Sequence, residues 1–255
     1  MTQLFPVPRR SEAARDPHAP MVRTMGLIFR NCLGLAAGVD RTGEQLPVLR
    51  AMEAGHIEIG TVSDPSVLKI TTAEQPSASI LGVNVGSGKP GFSAEVFADF
   101  RACLEAVLAC SDFIVLNFSN DDMRRPFASD GADYIIATAR AQINDNTACT
   151  GRRIPILAKV HCDPFLDTLA EPSGATELLD GFVIVGERTD RLTEVRRAFP
   201  HNGIISVGGA VTLQDVVARR RAGADLVQMH RAFADRGAAH VQRIVHDLQR
   251  GVVHG

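Results

Sequence analysis

Short apolar segments alternate with longer amphipathic segments along most of the chain. The apolar segments are rich in aliphatic and β-branched residues and cover residues 33–38, 56–62, 79–86, 113–119, 154–160, 181–187, 203–209 and 225–230. They are apolar almost throughout, which is typical of parallel strands that are covered on both faces. The pattern therefore predicts eight buried parallel strands.

The segments between these strands have helical periodicity. Residues 92–110 carry one apolar stripe at three- and four-residue spacing, formed by Val96, Phe100, Cys103, Leu104 and Val107. Residues 212–222 begin at Thr212, which suits an N-cap, and end before Gly223, which suits a C′ position. Residues 238–250 repeat the stripe with Val241, Ile244, Val245 and Leu248. All three segments are predicted helices.

Eight strands that alternate with helices predict an α/β protein, a single (β/α)8 TIM barrel, which typically needs about 250 residues. An open, doubly wound sheet is the alternative that the same alternation permits. Residues 82–88, GVNVGSG, have the wrong glycine spacing for a dinucleotide-binding loop. Residues 1–22 are predicted to form a loosely ordered arm or a plain tail, and residues 23–255 form one barrel domain.

Composition restricts the classes of partner. The net charge is −2 and the pI is near 6.4, so no basic field indicates a nucleic-acid or membrane partner. The five cysteines form no CxxC pair, which favours reduced thiols and a cytoplasmic location. The eight histidines lack paired spacing, so no metal site is predicted. No apolar run approaches the roughly 20 residues of a membrane span, and no signal peptide is recognisable.

In a (β/α)8 barrel the chemistry lies at the carboxyl ends of the strands. Gly208 and Gly209 end the seventh predicted strand just before a helix, and their N–H groups suit a phosphate. Arg231, after the eighth strand, could add a bidentate cationic contact. Alternatively, the two glycines only form a tight turn.

Three polar side chains interrupt the apolar strands. Lys159 is costly inside a barrel unless it is paired, so it is predicted to meet an anion or an electron-rich cofactor, or else to reach out at the rim. Asn84 and Asn117 each have several hydrogen-bonding positions to satisfy. Two inward-pointing amides suggest the edge of a planar heteroaromatic ligand, although they could also bond to each other or to loop backbone.

Several segments, taken in order, resemble the class 2 dihydroorotate dehydrogenase family. They are residues 25–44, MGLIFRNCLGLAAGVDRTGE, together with residues 56–62, 80–86, 113–119, 154–160, 180–185, 204–210 and 222–233. The resemblance implies a (β/α)8 barrel that binds FMN. It implies that Ala36, Ala37 and Gly38 lie against the isoalloxazine ring, and that Thr61, Asn84, Asn117 and Lys159 contact it. It places Gly208, Gly209, His230 and Arg231 around the phosphate.

The chain departs from that family mainly where the substrate binds. The family has a catalytic Ser or Cys at the position of Asn120, and a carboxamide cannot accept a proton at useful pH. Asp122 replaces an orotate-binding Asn, and Arg41 replaces a substrate-contacting Lys. An Asn-rich family segment has no counterpart in residues 63–79. Gly186 and Glu187 replace an Asn-Thr pair, and the long loop that follows it in the family is missing.

These departures favour an FMN-dependent oxidoreductase that acts on a different small molecule. Asp121 and Asp122 are the candidate catalytic bases, although either carboxylate could instead hold a cationic substrate, and Arg41, Asn117 and Asp122 are the candidate substrate contacts. Two alternatives stay open: a true dihydroorotate dehydrogenase with a displaced base, and a catalytically inactive flavin- or phosphate-binding barrel that acts as a partner protein. The sequence also leaves a homodimer open.

Overall fold

The computed structural model describes residues 21–70, 79–120, 123, 129–168 and 174–251. A short antiparallel hairpin comes first, made of β1 (Val22–Thr24) and β2 (Leu27–Phe29). Eight parallel strands then form a closed barrel. They are β3 (Leu33–Leu35), β4 (His56–Val62), β5 (Ile80–Val85), β6 (Phe113–Asn117), β7 (Ile156–His161), β8 (Gly181–Val185), β9 (Gly203–Val207) and β10 (Leu226–Met229).

Each of the eight predicted strands corresponds to one barrel strand, and the predicted (β/α)8 barrel is confirmed. The barrel closes because β10 pairs with β3, with Val227 opposite Leu33 and Met229 opposite Leu35. The alternative of an open sheet was therefore wrong. An open sheet and a closed barrel share the same alternation along the chain, and only this pairing of the last strand with the first distinguishes them.

Helices connect and cover the strands. They are α1 (Leu46–Arg50), α2 (Ala94–Val107), α3 (Asp130–Thr150), α4 (Cys162–Asp167), α5 (Thr189–Ala198), α6 (Leu213–Arg221), α7 (Arg231–Arg236) and α8 (Ala238–Arg250). The stripes predicted for α2 and α8 are buried. The predicted N-cap of α6 is also confirmed, since Thr212 accepts the Asp215 N–H and Asp215 accepts the Thr212 N–H. In the described part of the chain, no helix is both long and apolar enough to cross a membrane.

The hairpin covers the amino-terminal end of the barrel, which the sequence did not predict. The ring of Phe29 is fully buried and meets the ring of His56 edge-on, with 5.8 Å between centroids. Arg153 donates to the Met25 carbonyl at 2.8 Å, and Thr24 donates to Asp225 at 3.4 Å. These contacts close the amino-terminal end of the barrel, the floor, so that the open end is the one where the strands have their carboxyl ends.

The floor also holds a buried, neutral histidine. His56 packs between Phe29 and Phe113, and neither ring nitrogen has a hydrogen-bond partner among the described residues. Gly34 makes room for this ring, because a Cβ there would overlap it. Burial, partly offset by the negative charge of Glu58, lowers the pKa of His56 from 6.5 to about 4.

His56 should make the fold sensitive to acid. Between pH 6.5 and about 4 the unfolded chain binds a proton at His56 that the folded chain does not bind. The free energy of unfolding is therefore unaffected by His56 above pH 6.5 and decreases as the pH falls to about 4. The shift corresponds to about 3 kcal/mol. Urea unfolding measures this effect. From pH 7 to pH 4, the free energy of unfolding of the His56→Leu variant should decrease by about 3 kcal/mol less than that of the unaltered protein. Parallel pH curves for the two proteins would contradict the assignment.

Candidate functional site

The carboxyl ends of β3, β4 and β10 adjoin at the open end of the barrel. The Gly38 N–H donates to the Gly60 carbonyl at 2.8 Å, and the Ala36 N–H donates to the Met229 carbonyl at 3.0 Å. Gly38 has a φ of +98°, and a Cβ on it would lie 3.1 Å from Nε2 of His230. Glycine is therefore required here for its conformation, and the absence of a side chain leaves His230 close to the backbone of β3.

Thr61 on β4 and Asn117 on β6 are in contact, although β5 lies between their strands. Asn117 Nδ2 donates to Thr61 Oγ1 at 2.7 Å. Its Oδ1 accepts from both the N–H and the hydroxyl of Ser119, at 3.0 and 2.7 Å. The Asn117 amide is thus held by the protein on both sides, as one of the sequence-based alternatives allowed.

A fully buried carboxylate inside the barrel was not predicted from the sequence. Glu58 on β4 has no exposed surface. Its Oε1 accepts from Asn84 Nδ2 at 2.8 Å and from Lys159 Nζ at 3.3 Å. Its Oε2 accepts from Gln228 Nε2 at 2.6 Å. Side chains of β4, β5, β7 and β10 therefore meet at one carboxylate inside the barrel.

This arrangement supplies the anion that Lys159 was predicted to meet. The alternative of a lysine that reaches out into solvent is wrong, since the Lys159 side chain is only 11% exposed. The signal that could have revealed Glu58 was present in the sequence HIEIGTV, where it is an ionisable residue in an apolar strand. Glu58, like Lys159, is costly to bury in an apolar strand unless it is paired.

A second polar region surrounds the loop after β9. Gly208 and Gly209 have φ values of +112° and +68°. Among the described residues, the N–H groups of Gly209 and Ala210 donate no hydrogen bond. Arg219 lies against this loop and donates to the Gly186 carbonyl at 3.0 Å and to the Glu187 carbonyl at 3.1 Å. The loop after β9 therefore offers free donors beside the β8–α5 connection, which Arg219 holds in place.

The amino terminus of α6 is partly occupied by its own capping box. Asp215 accepts the N–H groups of Val211 and Thr212, and Thr212 Oγ1 accepts that of Asp215. Arg231 is 75% exposed and lies 3.9 Å from Glu187. An anion at this corner would therefore meet the Gly209–Ala210 backbone and the exposed charge of Arg231, and it would compete with Glu187.

A cleft of about 290 Å³ opens beside this loop, between the ends of β7 and β8. Its lining residues are His161, Cys162, Asp163, Pro164, Val185, Gly186, Glu187, Arg188 and Arg191. Burial and the nearby Asp163 raise the pKa of the Cys162 thiol to about 11, so it is not a thiolate nucleophile at neutral pH. In the described part of the chain, no three His, Cys, Asp or Glu side chains form a metal-binding group.

His161 was not singled out by the sequence, yet it is well placed in this cleft. Nε2 lies 2.8 Å from the Ser119 carbonyl oxygen, which can only accept a hydrogen bond. That contact assigns the proton of the neutral ring to Nε2 and leaves Nδ1 as the acceptor nitrogen. Residues two apart on a strand face the same side, so His161 and Lys159 share the inner face of β7.

Comparison with known proteins agrees with this architecture. No family model matches the chain. Curated relatives named dihydroorotate dehydrogenase (quinone) are 26% identical: one from Stenotrophomonas maltophilia aligns over 91% of this chain and 85% of its own, and one from Akkermansia muciniphila over 93% and 86%. The resemblance to dihydroorotate dehydrogenases is confirmed.

Solved structures of a dihydroorotate dehydrogenase from Eimeria tenella share the fold. The ligand-free structure has a TM-score of 0.74 at 20% identity and covers 95% of this chain and 89% of its own. The complex with ferulenol has a TM-score of 0.72 at the same identity and covers 95% and 86%. The chain thus spans most of the length of the dihydroorotate dehydrogenases that it matches.

The loops that differ from the dihydroorotate dehydrogenase pattern lie around the same opening. Asn120 is partly buried, and its Nδ2 donates to the Ser87 carbonyl at 3.4 Å. Arg41 is exposed, whereas its neighbour Asp40 is buried and holds the loop by accepting three backbone N–H groups. Only residues 186–188 separate β8 from α5, so the connection after β8 contains no long loop. Asp121 and Asp122 lie outside the described residues.

Proposed function

We propose that this chain is an FMN-dependent oxidoreductase that acts on a small molecule other than dihydroorotate. One observation carries the proposal. The same end of the barrel holds a polar, Lys159-containing interior, a glycine loop with free N–H groups and an open cleft between β7 and β8. The relatives named dihydroorotate dehydrogenase support the oxidoreductase class, and the altered residues around the cleft support a different substrate.

The interior fits the polar edge of a flavin ring. Asn84 Oδ1 and Gln228 Oε1 are buried acceptors without a hydrogen-bond partner among the described residues, and Lys159 keeps donors beyond the one that it gives Glu58. A flavin edge presents one N–H donor between carbonyl acceptors, which these groups complement. Ala36, Ala37 and Gly38 carry little or no side chain, so a flat ring can approach the backbone of β3 closely.

The proposed phosphate contacts are Gly208, Gly209, His230 and Arg231. The free N–H groups of Gly209 and Ala210 are the donors that an anion requires. Thr61 and Asn117, which are bonded to each other, would form one wall of the flavin site. Bound FMN would supply a two-electron acceptor, while the protein orients the reactants and sets the local charge.

The protein must also accept the proton that leaves the substrate. Asp121 and Asp122 remain the base candidates from the sequence, with Arg41, Asn117 and Asp122 proposed as substrate contacts. The structure adds His161 as a third base candidate, because its free Nδ1 belongs to a residue that lines the cleft. Once a substrate is found, comparing Asp121→Asn, Asp122→Asn and His161→Asn will show which group takes the proton. We also propose a cytoplasmic location, as the cysteine content indicates.

The first test is whether the purified protein carries or takes up FMN. The absorbance of bound flavin should be visible at a stoichiometry close to one per chain. Lys159→Ala should weaken binding at least tenfold, because a hydrogen bond to a charged group contributes about 1.5–3 kcal/mol. Lys69→Ala is the matched control, since this exposed lysine pairs with the exposed Glu44 at the protein surface. A colourless protein that takes up no FMN would remove the basis of the proposal.

A further inference from the structure

The Glu58 carboxylate lies directly behind Lys159, the side chain that we propose to face the flavin. Glu58 Oε1 is 3.3 Å from Lys159 Nζ, and the two residues are 101 positions apart in the chain. Among the described residues, the Glu58 carboxylate accepts hydrogen bonds from the side chains of Lys159, Asn84 and Gln228. Of these three donors, the Lys159 ammonium is the one that forms an ion pair with the carboxylate.

The charges of this interior nearly cancel. Among the described residues, Glu58 is the buried glutamate and Lys159 is the buried lysine. His56, two residues before Glu58 on the same face of β4, is neutral at pH 7 because burial lowers its pKa to about 4. The charged residues that line the nearby cleft have partners of opposite charge: Arg191 lies 2.9 Å from Asp163, Arg188 pairs with Asp190, and Glu187 lies 3.9 Å from Arg231. A ligand at Lys159 therefore meets an ion pair instead of an isolated cation.

We infer that Glu58 is a positioning residue that fixes the Lys159 ammonium and reduces its effective charge, and thereby keeps the midpoint potential of the bound flavin low. The inference rests on the proposed function. Oxidised flavin takes up two electrons and one proton to give an anionic reduced ring, so the site gains one negative charge. An unpaired Lys159 would stabilise that charge strongly, whereas a paired Lys159 stabilises it less.

Glu58 also decides which atoms of the two amides face the ligand. Because Asn84 Nδ2 and Gln228 Nε2 both turn toward the carboxylate, Oδ1 and Oε1 turn away from it and remain without partners. Two buried free acceptors favour a ligand edge with an N–H donor. Removing the charge of Glu58 would allow both amides to rotate and would weaken this preference.

The test is a reductive titration of the FMN-loaded protein with dithionite and a reference dye. Glu58→Gln should favour reduced over oxidised flavin at least tenfold more than the unaltered protein, which for two electrons is about 30 mV upward. Lys159→Gln should shift the potential in the opposite direction. Glu105→Gln, which removes one exposed carboxylate from α2, is the control for net charge and should leave the potential unchanged.

The double variant Glu58→Gln with Lys159→Gln contains neither charge and should fold even if Glu58→Gln alone does not. If Glu58 acts through Lys159, Glu58→Gln in the Lys159→Gln background should change the flavin potential by less than half of the shift that it causes in the otherwise unaltered protein. Flavin that binds with equal potentials in the Glu58→Gln and unaltered proteins would overturn this inference alone. An effect of equal size in both backgrounds would also overturn it. No uptake of FMN by the unaltered protein would overturn the proposed function and this inference with it.

Discussion

Dihydroorotate is expected to leave the flavin of this protein essentially oxidised. The dihydroorotate dehydrogenase reaction removes a carbon-bound proton with a base, and a correctly placed base contributes roughly 10²–10⁴ in rate. Asn120 stands at the position of that base and cannot accept a proton. His161, Asp121 and Asp122 belong to other positions, and a displacement of about 1 Å can already cost 10²-fold.

Anaerobic stopped-flow reduction with dihydroorotate measures this directly, and complementation of a pyrimidine auxotroph tests it in cells. Asn120→Ser alone should not restore the reaction, because Arg41 and the three-residue connection 186–188 still differ from the family's substrate contacts. Rapid flavin reduction by the unaltered protein, with growth in the absence of uracil, would establish the true dihydroorotate dehydrogenase instead. Reduction by no small molecule at all would favour the inactive, flavin-binding barrel.

Glu58→Ala should destabilise the barrel by about 3–5 kcal/mol, because it leaves the buried Lys159 ammonium without its counter-charge. It also removes the acceptor for Asn84 and Gln228, so three donors lose a partner at once. Adding Lys159→Met should recover most of the loss, since an apolar side chain needs no counter-charge. The free energy of unfolding in urea, measured for the protein without flavin, gives both quantities.

Glu105→Ala is the control, because it removes an exposed glutamate from α2 and should change stability by less than about 0.5 kcal/mol. If Glu58→Ala costs no more than this control, the ion pair does not stabilise the barrel. If Lys159→Met fails to restore the stability of Glu58→Ala, the loss arises from the amides or from the cavity. The two measurements therefore distinguish the effect of the Glu58 charge on stability from the effect of the packing and hydrogen bonds of its side chain.

Much of the fold could be predicted from local patterns. Each barrel strand is covered on both faces, so it appears as a continuous apolar run, and all eight runs became strands. The α2 and α8 stripes and the Thr212 cap are equally local, because they depend on residues three or four positions apart. The hairpin of β1 and β2 was missed because three-residue strands are too short to show a period.

The candidate site could be predicted only in part. The strand ends identified the positions of Lys159, Asn84 and the Gly208–Gly209 loop, because the barrel places all carboxyl ends at one opening. The strand ends did not identify which residues these side chains would contact. Asn117 proved to bond to Thr61, and His161 proved to face a cleft with one ring nitrogen fixed by Ser119.

The sequence by itself determined that this chain forms parallel strands and helices in alternation, with polar residues where the strands end. These features depend on hydrophobic burial and on short-range hydrogen bonds, both of which leave periodic patterns in a sequence. Only the tertiary structure decided that the sheet closes, that the hairpin covers its floor, and that Glu58 neutralises Lys159. Two charges 101 residues apart leave no periodic signal, and their pairing follows from the successive registers of β4 with β5, of β5 with β6 and of β6 with β7.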